Sequence, residues 1–402
     1  LTCYPGRAIV RREHIFELAE SPRILQTLSE VKVGDELRSC KDVKFVNKAY
    51  KFRLYPNREQ QEYFAKCFGC VRFIYNKMLA GRIDHYKKTR KYLNNTPAQY
   101  KSEYPWLKEV DSLALANAQV NLNKAYDNFF RNPSVGFPKF KSKKKNRFSY
   151  TTNNQNGTVQ IKDGHIKLPK LKTLVKIKQH REIEGEIKSC TISKTPSGKY
   201  YISILAEIEI KKLPGSDFKV GIDFGLKDFA VLSNNKVYGN PKYLRKSEKR
   251  LAKLQKGLSR KKKCSKNRAK ARLKVAKLHE KIYNQRKDFL HKVSSEIISE
   301  NQAIVIEDLR VKNMLQNHKL AKSISEASWS MFRKMLEYKS HWYGRELIIA
   351  SSNYASSQIC STCGNKSDQT KNLGCRTYKC TACKLEINRD HNASLNLVKL
   401  AG

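Results

Sequence analysis

Acid is what this 402-residue chain has least of: 36 Asp and Glu stand against 81 Lys and Arg, a formal net charge of +45. A cation of that size repels itself unless a polyanion covers it. An enzyme for small acidic substrates needs a few basic residues, not this excess, so the partner expected is nucleic acid. Long apolar runs are also missing. No stretch of about 18 apolar residues exists, which excludes a membrane-spanning helix. Residues 1–30 lack the apolar core and cleavage site of a secretory leader. There is no HExxH helix, no GxSxG elbow and no phosphate-binding P-loop, so zinc-protease, serine-hydrolase and ATP-driven chemistry lose their support. The 11 cysteines are an odd number. Five of them, Cys360, Cys363, Cys375, Cys380 and Cys383, crowd near the C-terminus. That argues for metal binding in a reducing, cytoplasmic setting rather than a disulfide framework.

The charge is uneven. Residues 1–46 hold eight basic and seven acidic residues, whereas residues 242–292 hold 21 basic and three acidic. A second basic run, Lys139, Lys141, Lys143, Lys144, Lys145 and Arg147, alternates with Phe137, Phe140, Phe148 and Tyr150. Cations beside aromatics suit a groove that follows a phosphate backbone and stacks bases. These six residues, with Arg260, Lys261, Lys262 and Lys263, are the candidate nucleic-acid contacts. A solvated helix face is the ordinary alternative for either run.

Hydrophobic periodicity divides the chain. Residues 48–55, KAYKFRLY, alternate as a strand does and stop at Pro56. Residues 58–90 and 111–130 show helical spacing, the second run with Asp111 as a candidate N-cap. Residues 148–210 read as β, with hairpin turns at Asp163–Gly164 and at Pro196, Ser197 and Gly198. From residue 218 on, GIDFGLKDFAVLS, AIVIEDL and ELIIASS are apolar strands separated by helical stretches, an α/β pattern. The helical stretch 242–300 is expected to break at Gly257.

Three acids stand where acids are costly. Asp223 lies within an apolar strand, Glu307 ends another, and Asp390 lies at a helix start in NRDHNASLN. Converging at one end of a sheet, they would bind Mg²⁺ through hard oxygen ligands. Two such ions would serve phosphodiester hydrolysis. Taken singly, Asp223 and Asp390 also suit capping roles, and Asp308 competes with Glu307. Cys360/Cys363 and Cys380/Cys383 are two CxxC pairs with 16 residues between them, the spacing of a structural zinc ribbon. Cys375 competes as a ligand but lacks a partner at the right spacing. Cys67 and Cys70, among aromatics at helical spacing, read as core. Trp106, Trp329 and Trp342 read as packing residues.

In this order, KAYKFRLYPN, FGCVRFIYNKML, VGFPKFKSKKK, GIDFGLKDFAVLS, IVIEDL, SSQICSTCG and NRDHNASLN resemble the TnpB family of IS200/IS605 transposons (the OrfB transposase family), relatives of type V CRISPR effectors. The resemblance runs from residue 48 to 402. It implies an α/β multidomain protein. A β-barrel wedge domain (47–57 and 132–215) carries a helical recognition insert (58–131). A RuvC-like nuclease of RNase H fold (216–355 and 387–402) carries an inserted four-cysteine zinc ribbon (356–386). It implies RNA-guided cleavage of double-stranded DNA beside a short target-adjacent motif. Asp223, Glu307 and Asp390 would be the Mg²⁺-binding catalytic acids, and Cys360, Cys363, Cys380 and Cys383 the Zn²⁺ ligands. The partners implied are a guide RNA from the transposon end and target DNA, in a monomeric ribonucleoprotein. Residues 1–46 have no counterpart in the family and are expected to be an N-terminal extension, from a misassigned start or a genuine accessory helix. Two rival functions remain: a transposase joining strands directly at transposon ends, and a non-enzymatic RNA-binding regulator.

Overall fold

The computed structural model describes residues 45–402, apart from 146, 147, 210, 211, 372, 373 and the side chains of 145, 369 and 371. The expectations for residues 1–44, for Arg147 and for the Lys145 side chain lie outside the described residues. The described residues form two compact units, one ending at Glu209 and the other at Gly402. No described helix is long and apolar enough to cross a membrane.

The first unit is built on a seven-stranded sheet. Its strands are β1 (Phe45–Tyr55), β2 (Phe148–Asn153), β3 (Gln160–Lys162), β4 (His165–Lys167), β5 (Val175–Lys178), β6 (Glu186–Lys194) and β7 (Tyr200–Glu209). Their hydrogen-bonded order is β2-β6-β7-β1-β5-β4-β3, and every pairing is antiparallel. Both hairpins fall where the sequence puts them. Asp163 and Gly164 each adopt a positive φ, at 49° and 68°, as a tight two-residue turn demands. Strand β1 begins three residues before the alternating run and pairs with β7 from Phe45 to Leu54.

Between β1 and β2 lie α1 (Arg58–Thr89) and α2 (Ser112–Arg131). A capping box starts α1. Asn57 Oδ1 accepts from Gln60 N at 2.8 Å, and Gln60 Oε1 accepts from Asn57 N at 3.0 Å. Asp111 caps α2 as expected, accepting from Leu113 N and Ala114 N at 3.2 Å each. The Thr152 hydroxyl of β2 donates to the same carboxylate and ties the helix to the sheet. Phe64 and Phe68 of α1 pack on Phe148, Tyr150 and Tyr200. Cys67 and Cys70 are buried there, and desolvation pushes their thiols up to about 12 and about 11. They are core residues, as read.

The second unit has a five-stranded sheet ordered β10-β9-β8-β11-β12. These strands are β8 (Lys219–Phe224), β9 (Asp228–Leu232), β10 (Val237–Gly239), β11 (Ala303–Glu307) and β12 (Glu346–Ala350). β8, β11 and β12 run parallel, and β9 and β10 are antiparallel. A helical hairpin, α3 (Tyr243–Ser259) and α4 (Lys266–Glu300), separates β10 from β11. Then follow α5 (Val311–Met314), α6 (Ala321–Ala327) and α7 (Trp329–Tyr343). After β12 come the short hairpin β13 (Thr377–Lys379) and β14 (Glu386–Asn388), and finally α8 (Arg389–Val398). The core joins Val220, Ile222, Phe229 and Ile304 to Leu290, Ile297, Trp329 and Phe332.

Three expectations need correction. The long helical stretch does not break at Gly257, which lies inside α3. It breaks over residues 260–265, where Cys264 takes φ 64° and Ser265 caps α4 by accepting from Arg268 N. A lone glycine lowers helix propensity by only about 1 kcal/mol, less than neighbouring packing supplies. The helical periodicity of residues 326–344 predicts one helix there, but the helical region starts earlier, at Ala321, and is split at Ser328, φ 58°. Trp106 is not packed away: it is 41% exposed, edge-on to Phe73 and near Tyr104. Trp329 is in the core, as read.

Candidate active site and metal centre

Parallel pairing puts two of the acids side by side. Ile222 of β8 stands opposite Ile306 of β11. One residue further along each strand are Asp223 and Glu307, so both acids leave the same end of adjacent strands. Asp223 and Gly221 are two apart and share a face. Helix α8 lies on that face. A Cβ on Gly221 would stand 2.1 Å from Ser394 O and 2.6 Å from Val398 N. The missing side chain lets α8 settle on β8, and Asp390 sits in the first turn of that helix. Asn388, not Asp390, caps α8, accepting from the amides of Asp390 and His391 at 2.9 and 3.2 Å.

The three carboxyl groups feel one another. Asp223 is held well above the ordinary carboxylate range, first by burial, then by the charges of Glu307 and Asp390; Arg389 offsets part of this. Glu307 is raised by burial and by Asp390, while hydrogen bonds with Ser356 and Asp223 pull the other way. Two acids sharing a hydrogen bond beside a third are the arrangement in which like charge opposes full ionisation. The third acid is also held by cations. Arg389 donates Nε and Nη2 to Asp390 Oδ1 at 3.1 and 3.0 Å, and Arg376 Nη1 lies 3.7 Å from Oδ2. Among the described residues, the oxygens of this trio do not all lie within 4.8 Å of one another, as the cysteine sulfurs do. Asp308, the alternative to Glu307, is turned elsewhere and pairs with Arg333 of α7.

Among the described residues, Cys360, Cys363, Cys380 and Cys383 are the set whose ligand atoms all lie within 4.8 Å of one another. Cys360 Sγ is 3.6 Å from Cys383 Sγ, and Cys363 Sγ is 3.5 Å from Cys380 Sγ. A tetrahedron of Zn–S bonds has edges of about 3.8 Å, so the spacing fits that ion. Cys380 is lowered to about 6, chiefly by the backbone N–H of Cys383. Cys383 is raised to about 12, because desolvation and the three neighbouring thiols outweigh a backbone contact from Leu385. Four thiols this close do not all ionise without a cation among them. Cys375 is outside the set, and its thiol donates to Thr377 O.

The chain between these centres connects them, and these connecting residues were not singled out from sequence. Ser356 Oγ donates to Glu307 Oε1 at 2.8 Å. Asn396 of α8 donates to Ser356 O at 2.8 Å and to Ile359 O at 2.6 Å. Asn392 donates to Ile359 O at 2.7 Å and accepts from Ser361 N at 2.9 Å. Both asparagines are buried. The signal was in the motif already read, since Asn392 and Asn396 are one helical turn apart in NRDHNASLN.

Of the candidate nucleic-acid contacts, Lys139, Lys141, Lys143 and Lys144 are exposed, as are Arg260, Lys261, Lys262 and Lys263 at the tip of the α3–α4 hairpin. Lys141 differs only at its tip: the ammonium lies 3.7 Å from the centroid of the Tyr75 ring, and its desolvation there lowers its pKa.

Comparison with known proteins follows the same order of elements. A family profile described as "Probable transposase" (IS605 OrfB) matches residues 203–318. One described as "Cas12f1-like, TNB domain" matches residues 329–397, the segment holding the four cysteines and Asp390. A third, "Helix-turn-helix domain", matches residues 46–91, which here form β1 and the single helix α1. A protein of Streptomyces pristinaespiralis is 40% identical over 364 residues, covering 88% of this chain and 89% of its own. The chain belongs to the IS605 OrfB, or TnpB, family. A second TnpB-family relative, InsQ of Escherichia coli K12, is 32% identical, covering 87% of this chain and 91% of its own. Both relatives carry the name "Putative RNA-guided DNA endonuclease". The TnpB fold extends to a Cas12f1 chain solved with guide RNA and target DNA: TM-score 0.57, 14% identity, 88% of this chain and 99% of that one. At that identity the likeness is one of fold.

Proposed function

We propose that this protein is an RNA-guided DNA endonuclease that hydrolyses phosphodiester bonds at Asp223, Glu307 and Asp390. The observation that carries the reading is the convergence of three acids at one sheet end, with Asp223 raised by the other two. Buried carboxylates that repel one another, offering hard oxygens, are a donor set suited to Mg²⁺. Bound there, Mg²⁺ supplies an activated water and stabilises the charge developing on the phosphate and the leaving oxygen. Asp223 and Glu307 hold the cation site, Ser356 keeps the Glu307 carboxylate oriented, and Arg389 orients Asp390. Zn²⁺ at the four cysteines is structural, since four thiolates close its coordination.

The domain reading follows the family. Residues 47–57 and 132–215 form the wedge, 58–131 the recognition insert, 216–355 and 387–402 the RuvC-like nuclease, and 356–386 the ribbon. Guide RNA and a target-adjacent DNA motif are the partners, with one chain per complex in the cytoplasm. The exposed cations at the α3–α4 tip and at Lys139, Lys143 and Lys144 offer backbone contacts of the kind such partners need.

The test is to purify the protein from cells carrying its flanking DNA and to sequence the RNA that accompanies it. A discrete RNA ending in a variable guide is expected, with the Asp223→Ala protein keeping that RNA and losing cleavage of matched DNA. Heterogeneous RNA, or cleavage retained by Asp223→Ala, overturns the reading. The profile described as "Probable transposase" favours one rival, strand transfer at transposon ends by the same acids. That activity yields joined strands rather than free ends.

A further inference from the structure

Two arginines of the described core are buried, and they differ. Arg345 meets acceptors at two of its three nitrogens: its Nε donates to Ile298 O, and its Nη1 to Pro214 O and Gln302 Oε1. Arg82, on α1 and 4% exposed, donates only Nε, to Asn95 Oδ1 at 2.9 Å. Its Nη1 and Nη2 have no hydrogen-bond partner. Asn95 offers it that oxygen alone, because the amide nitrogen is itself a donor, to Met78 O and to the Tyr100 hydroxyl. A buried cation with four of its five N–H donors unused is costly unless something else meets it.

Arg82 borders a narrow cavity of about 40 Å³ that opens to solvent, so a ligand larger than a few waters enters only as a wall side chain turns. Its walls are Tyr86, Tyr92, Tyr126, Phe130 and Phe137, completed by Ile83 and Leu93. The guanidinium carbon lies 5.4 Å from the Tyr92 ring centroid and 5.6 Å from that of Tyr126. No acid lines the cavity. Tyr92 is 57% exposed and forms the outer wall, so turning its ring aside uncovers the guanidinium edge. A phosphate in this cavity would trade its water for one cation and apolar walls. A flat ring with acceptors on one edge would stack on the aromatics and meet the two Nη groups. Guanine presents O6 and N7 side by side, the pair that a guanidinium edge matches in bidentate fashion.

We propose that this cavity seats a single unstacked guanine, its O6 and N7 accepting from Arg82. The inference rests on the reading of the chain as a binder of RNA and DNA, and it adds a base-specific site to it. The source is a guanine of the RNA or of an unpaired DNA strand.

The full chain, freed of RNA, is titrated with short uracil-rich RNA and thymine-rich DNA strands carrying one central guanine, adenine or cytosine. Salt is held at about 0.3 M to weaken backbone binding. Guanine-bearing strands of one or both kinds are expected to bind about ten-fold tighter. In Arg82→Lys, which keeps the charge and loses the paired edge, that preference disappears while the salt dependence stays. A second measurement needs no variant. Strands carrying 6-thioguanine are photo-cross-linked to the wild-type protein and the peptides mapped. Adducts at Tyr92, Tyr126 or Phe137 from RNA alone assign the base to the RNA, and from DNA alone to the DNA strand. Equal affinity for all bases, or adducts only elsewhere, overturns the pocket and leaves the nuclease reading standing. Failure to bind either polymer at low salt overturns the nuclease reading itself.

Discussion

Replacing Ser356 by alanine removes one hydroxyl and tests the carboxylate site directly. That hydroxyl donates at 2.8 Å to Glu307 Oε1. A hydrogen bond to an ionised group contributes about 1.5–3 kcal/mol. Loss of such a partner behind a metal-binding carboxylate lowers ion affinity roughly 10- to 100-fold. The sign of the pH effect follows from the same contact. Glu307 is already raised by burial, and Ser356 is among the groups that lower it. A carboxyl group loses its ion-binding form as pH falls through its folded pKa. Taking Ser356 away moves that point upward, so the acid limb of the cleavage profile moves to higher pH. The assay is cleavage of matched DNA by the RNA-loaded protein across Mg²⁺ concentration and pH. Ser356→Ala should need at least about ten-fold more Mg²⁺ and recover as the pH rises. Ser356→Thr should behave as wild type. If Ser356→Ala follows the wild-type Mg²⁺ and pH curves, the reasoning fails. It fails equally if activity falls uniformly at every Mg²⁺ concentration and pH with a lowered melting temperature, since Ser356 would then act only in folding.

Gly221→Ala should destabilise the second unit by about 1–3 kcal/mol or more, because the new methyl meets backbone atoms of α8 rather than a side chain able to move. Thermal unfolding checks it, and an unchanged melting temperature would mean that α8 is not seated on β8. Elemental analysis should find zinc bound to the wild type and to Cys375→Ser, and lost from Cys380→Ser; zinc lost from Cys375→Ser would show that the set of ligands is wrong. Lys339 is lowered to about 8 by burial, its ammonium donating to His291 O and to the hydroxyls of Ser294 and Ser295. Between that value and the unfolded 10.5 the unfolded chain binds more protons, so this group makes stability rise with pH, by at most about 1.4 kcal/mol per pH unit. Denaturant titrations of the wild type and Lys339→Met across that window should differ in slope, and parallel curves would remove the assignment.

Much of this was legible in the sequence because it is local. Helix α1 follows from apolar spacing, α2 from the cap at Asp111, and the first hairpin from Asp163–Gly164. The misreadings were local rules overridden by packing. Gly257 stays helical because Leu251, Leu278 and Ile282 hold α3 against α4 on either side of the turn. Ser328 breaks a helix that its residue type did not mark. Trp106 is exposed because its partners, Phe73 and Tyr104, form a cluster at the surface.

The function is divided in the same way. Sequence by itself determined the excess of positive charge, since net charge needs no fold, and the cysteine quartet, since two CxxC pairs bring their own knuckles. It also named Asp223, Glu307 and Asp390, because an acid beside an apolar strand stands out in any window. Their meeting was decided only by the tertiary structure. It depends on the parallel register of β8 and β11, on a glycine that admits α8 to the face of β8, and on two asparagines that hold the first cysteine knuckle to that helix. Arg82 belongs with these. An arginine in a helix reads as a solvated charge until its neighbours close over it, and burial is a sum over contacts from distant parts of the chain that no local pattern contains.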